Sequence, residues 1–123
     1  MGKRKKDSSA VSEKLSSTIV KGMQEKKAND IVLMDLRKIE DAVADYFVIC
    51  DAISQTQVKA IADHVLAKTQ KLTGEKPWHT EGIENQQWVL LDYVNVVVHI
   101  FRTPVRNFYQ LEELWSDAQI KHY

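Results

Sequence analysis

The sequence has one cysteine, four glycines and two prolines, so it is poor in residue types on which many functional motifs depend. With Cys50 alone there is no internal disulfide, no Cys-x-x-Cys redox pair and no thiolate zinc cage, which fits a reducing compartment. The glycines stand at positions 2, 22, 74 and 82, leaving no place for a P-loop or a G-x-G-x-x-G fingerprint. No apolar run approaches the ~18 residues that a membrane helix requires. The start MGKRKKDSSAVSEKLSS has a basic cluster but no apolar segment behind it, and Lys6 stands where a myristoylation motif wants Ser or Thr. The expectation is a soluble, cytoplasmic protein.

Catalytic patterns are also missing. No serine sits in a nucleophile elbow, no His-Glu-x-x-His occurs, and His64, His79, His99 and His122 fall on different segments. A small α/β nucleotidyltransferase commonly needs two carboxylates two residues apart on one strand to hold magnesium. Asp30 and Asp35, Asp41 and Asp45, and the solitary Asp92 provide no such pair.

At 123 residues with 44% hydrophobic and 28% charged side chains, the chain suits one domain with a core. Its zero net charge conceals an asymmetry. Residues 1–27 carry eight Lys/Arg against three Asp/Glu, and residues 28–123 nine against fourteen, giving +5 and −5. An acidic body argues against direct nucleic-acid binding as the main activity, because such affinity comes largely from cations neutralising phosphates. A basic protein is the better partner.

Leu15, Ile19 and Met23 recur every four residues and predict a weakly amphipathic helix within a basic segment 1–27. Gly22 inside it costs roughly 1 kcal/mol against Ala, which favours a mobile helix. Residues 28–123 are then the domain proper. Asp30–Leu36 and Tyr46–Cys50 read as strands, and RKIEDAVAD as their connection. Ser54 and Gln57 have capping-box spacing before a helix that presents Val58, Ile61, Ala62, Val65, Leu66 and Leu72 on one face, with His64 on a solvated flank and Gly74 as its stop. KPWHTEGIENQQ is a turn-rich link with room for a short edge strand.

WVLLD and NVVVHIF read as a hairpin, the second arm apolar on both faces as in a central strand: Val97, His99 and Phe101 on one side, Val96, Val98 and Ile100 on the other. Thr103 as cap and Pro104 open a last helix with Val105, Phe108, Leu111, Leu114 and Trp115 inward, after which SDAQIKHY frays. The fold class is therefore α/β, a single small domain with a mixed β-sheet flanked by helices.

His99 reads first as a neutral imidazole satisfied by a carboxylate or backbone, and Asp92 as a turn-stabilising acid. Trp78, Trp88 and Tyr93 are of the type that anchors protein interfaces, and an exposed apolar hairpin would favour a homodimer in the free protein.

The series DIVLMDL, ADYFVI, S-x-x-Q-x-x-AIADHV, EG, WVLLDY, VVVHIF and RNFYQLEELW, spanning Ala28 to Trp115, resembles the ribosomal silencing factor, or Iojap, family. The resemblance implies a nucleotidyltransferase-like fold without the catalytic carboxylate pair, no enzyme activity and no cofactor. It further implies binding to the fourteenth protein of the large ribosomal subunit and a steric block of subunit joining that represses translation. Its partner-binding residues correspond here to Trp88, Asp92 and Tyr93, with His99 on the adjoining strand. Where the family's corner reads Asp-aromatic-Gly-Asp, this chain has Asp92-Tyr93-Val94-Asn95, and the expectation is a shifted turn in which Asn95 takes the positive φ that valine resists. Two other readings of the residues are a nucleotidyltransferase-like enzyme and an RNA-binding assembly factor for the large subunit.

Overall fold

The structure, a computed structural model, describes residues 6–123; the side chains of residues 6–9 and of Phe108 lie outside that description. The element order is α1 (Lys6–Glu25), β1 (Asn29–Asp35), β2 (Tyr46–Ala52), α2 (Gln55–Thr73), β3 (His79–Glu81), β4 (Trp88–Asp92), β5 (Val96–Arg102), α3 (Thr103–Tyr109), α4 (Leu111–Leu114) and β6 (Gln119–His122). Six strands form one sheet in the order β3-β4-β5-β2-β1-β6. Among the described residues the β2–β5 pairing is parallel and the other four pairings are antiparallel, so the sheet is mixed as expected.

Alternation along the strands divides the core between two faces. Val96, Val98 and Ile100 of β5 point to the side covered by α1 and α2, whereas Val97 and Phe101 point to a second cluster with Met34, Phe47 and Leu111. The first side is roofed by two long helices and the second by two short ones and the connection after β1. That inequality positions the candidate site.

Ser54 is extended (φ −112°) and its hydroxyl accepts the Gln57 N–H at 3.1 Å, so α2 starts where its sequence signal lies. Gly74 takes φ 73° and its N–H returns to the Gln70 carbonyl, closing the helix. The stripe differs at its end: Thr69 is buried, while Leu72 is 50% exposed.

The loosely held first helix is not what is observed. Leu15, Ile19, Val20 and Met23 of α1 are buried in the same cluster as strand residues, so the boundary expected after residue 27 does not separate two bodies. Gly22 is buried where the two helices meet: a Cβ there would stand in ordinary van der Waals contact with Val65 Cγ2, at 3.4 Å. The buried Ser12 hydroxyl donates to Asp45 Oδ2 at 2.8 Å, and His64 Nε2 lies 2.7 Å from Glu25 Oε1, tying both helices down.

Three C-terminal expectations change. Gln110 adopts φ 48° and breaks the last helix into α3 and α4, leaving Leu114 72% exposed. Thr103 does not cap; its hydroxyl donates to Asp51 Oδ1 at 2.9 Å and Arg102 holds the cap position. The segment expected to fray is β6, paired antiparallel to β1 through backbone groups that apolar patterning cannot reveal. Phe108, expected to face inward, lies outside the described side chains.

Arg106 closes the lower edge of the second face. This buried guanidinium donates to the Asp30 carbonyl at 2.7 Å, to Asp51 Oδ2 at 2.9 Å and to Glu112 Oε2 at 2.6 Å. It thereby fastens α3 and α4 to the bulge in β1.

Candidate functional site

On β4, Val89 and Leu91 are buried toward the long helices, while Trp88, Leu90 and Asp92 point to the other side and stay half-buried. The register places Trp88 opposite Phe101, Leu90 opposite His99 and Asp92 opposite Val97. On the outer side β3 sets Glu81 beside Leu90 and His79 beside Asp92. The result is a shallow apolar strip, Trp88 and Leu90, bordered by Glu81 and Asp92.

Trp88 is the fixed point of this strip. Its ring centroid lies 4.8 Å from Phe101 and 4.9 Å from Tyr109, and its indole N–H donates to His99 Nδ1 at 3.1 Å. A donor on Nδ1 requires an unprotonated nitrogen there, so the ring proton sits on Nε2. His99 is 4% exposed, and burial pulls its pKa down to about 3, so the imidazole stays neutral. His99 does not have the carboxylate or backbone partner expected of it: Nδ1 faces an indole, and Nε2 is buried with no hydrogen-bond partner among the described residues. Its place is behind Trp88, with Phe47 edge-on at 4.8 Å.

Asp92 does what its position suggested. Its Oδ1 accepts the Val94 N–H at 2.8 Å and its carbonyl accepts the Trp78 N–H at 3.0 Å. The corner is closed by the Asn95 N–H to the Tyr93 carbonyl at 3.0 Å and the Tyr93 N–H to the Val96 carbonyl at 2.9 Å. Val94 itself takes φ 78°, not Asn95, because it is the middle residue of the three-residue turn that the Asn95–Tyr93 bond defines.

Tyr93 is not the exposed anchor its residue type suggested. It is 6% exposed, belongs to the core under the long helices, and its hydroxyl shares a 2.8 Å hydrogen bond with Thr69. Strand alternation explains this: Tyr93 continues the inward phase of Val89 and Leu91. Two further neighbours join the site, the half-buried Leu90 and the exposed Tyr109. Leu90 was legible as the outward residue between two buried ones, whereas Tyr109 reaches Trp88 only through the folding of α3. Trp78, 71% exposed, stands at the edge beside His79.

Among the described residues, no group of three or more His, Cys, Asp or Glu side chains is placed to hold a metal ion. Asp35 is instead bound by Arg37, whose side chain holds its carboxyl below the usual range, and Asp45 accepts from Ser12.

Residues 9–122 match the family described as "Ribosomal silencing factor during starvation". The chain belongs to the ribosomal silencing factor family. It is 40% identical over 106 residues to the ribosomal silencing factor of Halalkalibacterium halodurans, covering 86% of this chain and 89% of that one. With the ribosomal silencing factor of Bacillus subtilis the identity is 41% over 96 residues, 78% of this chain and 80% of the relative. A crystal structure of a Chromobacterium violaceum protein superposes with a TM-score of 0.79 at 31% identity, covering 85% of each chain. The family region begins inside α1, in keeping with the packing of that helix as part of the silencing-factor domain. Among the described residues, no helix is long and apolar enough to cross a membrane.

Proposed function

We propose that this silencing factor works in the cytoplasm as a non-enzymatic repressor of translation. It binds the fourteenth protein of the large ribosomal subunit and sterically blocks joining of the small subunit. The observation that carries the reading is the uncovered strip on β4, where a half-buried Trp88 is held by His99 and Tyr109 between acidic neighbours. An aromatic with its orientation already fixed loses little conformational freedom on docking, and this is the residue type that dominates binding energy. Glu81 and Asp92 complement a basic ribosomal protein and would hasten the encounter.

In this arrangement the four residues singled out by the resemblance divide their roles. Trp88 and the Asp92 carboxylate meet the partner; His99 and Tyr93 hold the surface from beneath. No bond is made or broken, and repression follows from the volume that the bound domain occupies.

The test is light scattering of ribosomal subunit association with and without the purified protein. Saturating protein should suppress association of large with small subunits; normal pairing at saturation would refute the reading. Saturable, magnesium-dependent nucleotide binding in calorimetry would favour the enzyme alternative instead.

A further inference from the structure

The face opposite the strip has the other charge. α1 and α2 run antiparallel, with Gly22 against Val65 and Glu25 against His64, and shallow hollows on their outer surfaces meet at Leu72, two between the helices and one on α2 alone, which together make up the α1–α2 groove. Lys14, Lys21, Lys68 and Lys71 line it. Lys14 and Lys21 are seven residues apart on α1, two helical turns and about 10 Å along one side. Lys68 stands across from Lys21, and Lys71, one turn further along α2, borders the hollow on that helix beside Leu72.

Lys68 is already bound to Glu25 at 3.1 Å, as Lys59 is to Asp63 at 2.8 Å. Lys14, Lys21 and Lys71 form no ion pair among the described residues, and all three are exposed. Glu75, at one end, is the acid that lines the groove. A cationic surplus thus gathers on the helical face of a domain whose sheet face displays Glu81 and Asp92. Lys14 and Lys21 display here part of the positive surplus of residues 1–27, and Lys71 adds to it from the acidic body.

We infer that the α1–α2 groove is a second contact surface, and that it takes the phosphate backbone of an RNA helix. The inference rests on the large-subunit reading, which places the domain on a particle whose surface is RNA interspersed with basic proteins. Each ammonium that neutralises a phosphate releases a counterion, so three lysines supply affinity without any sequence readout. The two faces together orient the domain: the acidic strip turns toward a basic protein and the lysine groove toward RNA. Nucleic acid is then an auxiliary partner that fixes posture.

The experiment is fluorescence anisotropy of the full chain with a 16-base-pair RNA duplex across a salt series. Three neutralised phosphates correspond to about a 40-fold loss of affinity between 50 and 200 mM salt, at about 0.9 per phosphate in the logarithmic slope. The triple variant Lys14→Gln/Lys21→Gln/Lys71→Gln should bind more weakly at low salt and lose most of that salt dependence. Lys38→Gln/Lys121→Gln, which leaves the helical face intact, should bind like wild type. The basic residues 3–6 are present in every variant, so the three-phosphate contribution is read from the difference in slope between wild type and the triple variant.

Wild-type affinity in the triple variant, or no binding of the duplex by the wild type, overturns the inference. A triple variant that loses affinity for large subunits but not for naked RNA would assign the groove to a protein and also overturn it. Trp88→Ala separates the two readings: it should leave duplex binding unchanged while weakening large-subunit binding. Failure of the strip would thereby be told apart from failure of the groove.

Discussion

The indole N–H of Trp88 donates to Nδ1 of His99 at 3.1 Å, across the register pair that sets Leu90 opposite His99. The more exposed residue is therefore oriented by one that is wholly buried. Trp88→Phe keeps an aromatic ring but leaves His99 Nδ1 without its donor, and it should cost about 1–3 kcal/mol in urea denaturation. Trp88→Ala should in addition weaken large-subunit binding by more than ~1 kcal/mol while the domain remains folded by circular dichroism. Unchanged binding in a folded Trp88→Ala protein would remove this residue from the interface.

The acid side of the stability profile should carry the signature of His99. Its folded pKa is depressed by burial to about 3 from 6.5, so the unfolded chain binds the extra proton first as pH falls. Stability from this group is complete above pH 6.5 and is lost progressively as pH drops toward 3, with a slope reaching about 1.4 kcal/mol per pH unit. His99→Gln offers Trp88 an acceptor that does not titrate, and should flatten the profile between pH 6 and 4.5. A profile identical to wild type in that window would contradict the assignment.

Tyr93 distinguishes a core residue from a contact. Tyr93→Phe deletes the hydroxyl that meets Thr69 and should cost about 0.5–1.5 kcal/mol of stability. Calorimetric affinity of the folded variant for large subunits should equal that of wild type. A loss of affinity without a loss of stability would return Tyr93 to the docking face.

Val94 at φ 78° pays for a conformation that glycine adopts freely. Relief of the left-handed strain is worth about 1–2 kcal/mol, against about 0.5–1 kcal/mol of added chain entropy. Val94→Gly should therefore raise the urea midpoint slightly. A clear drop would show that the valine side chain, itself 50% exposed, contributes packing of its own.

Arg106 and Asp51 are 8% and 4% exposed at their side chains and 2.9 Å apart. Arg106→Ala leaves the Asp51 carboxylate buried without its cation and should destabilise by about 3–5 kcal/mol, readable as a large fall in thermal midpoint. Replacement of exposed Arg37 should cost far less, since its ion pairs face solvent.

How much of this was legible follows from where the information resides. Ser54, Gln57 and Gly74 are local signals, and the ends of α2 lie where they point. The two apolar faces of β5 require only a period of two, and both clusters are filled as that period demands. The residue type of Tyr93 points to a surface anchor, but its spacing from Val89 and Leu91 puts it in their inward phase, and there it is buried. β6 could not be read, since an edge strand held by backbone bonds needs no apolar pattern. The Trp88–His99 bond and the Tyr109 contact depend on cross-strand register and on the break at Gln110, neither of which a linear pattern encodes. Gly22 lies at the α1–α2 contact, which the pattern of α1 alone does not reveal.

The placement of β6 at the far edge from β3 separates the C-terminal strand from β4 by four strand spacings, about 19 Å. A dye attached at Tyr123 would accordingly ride on the rim remote from Trp88, clear of the proposed contact surface on β4.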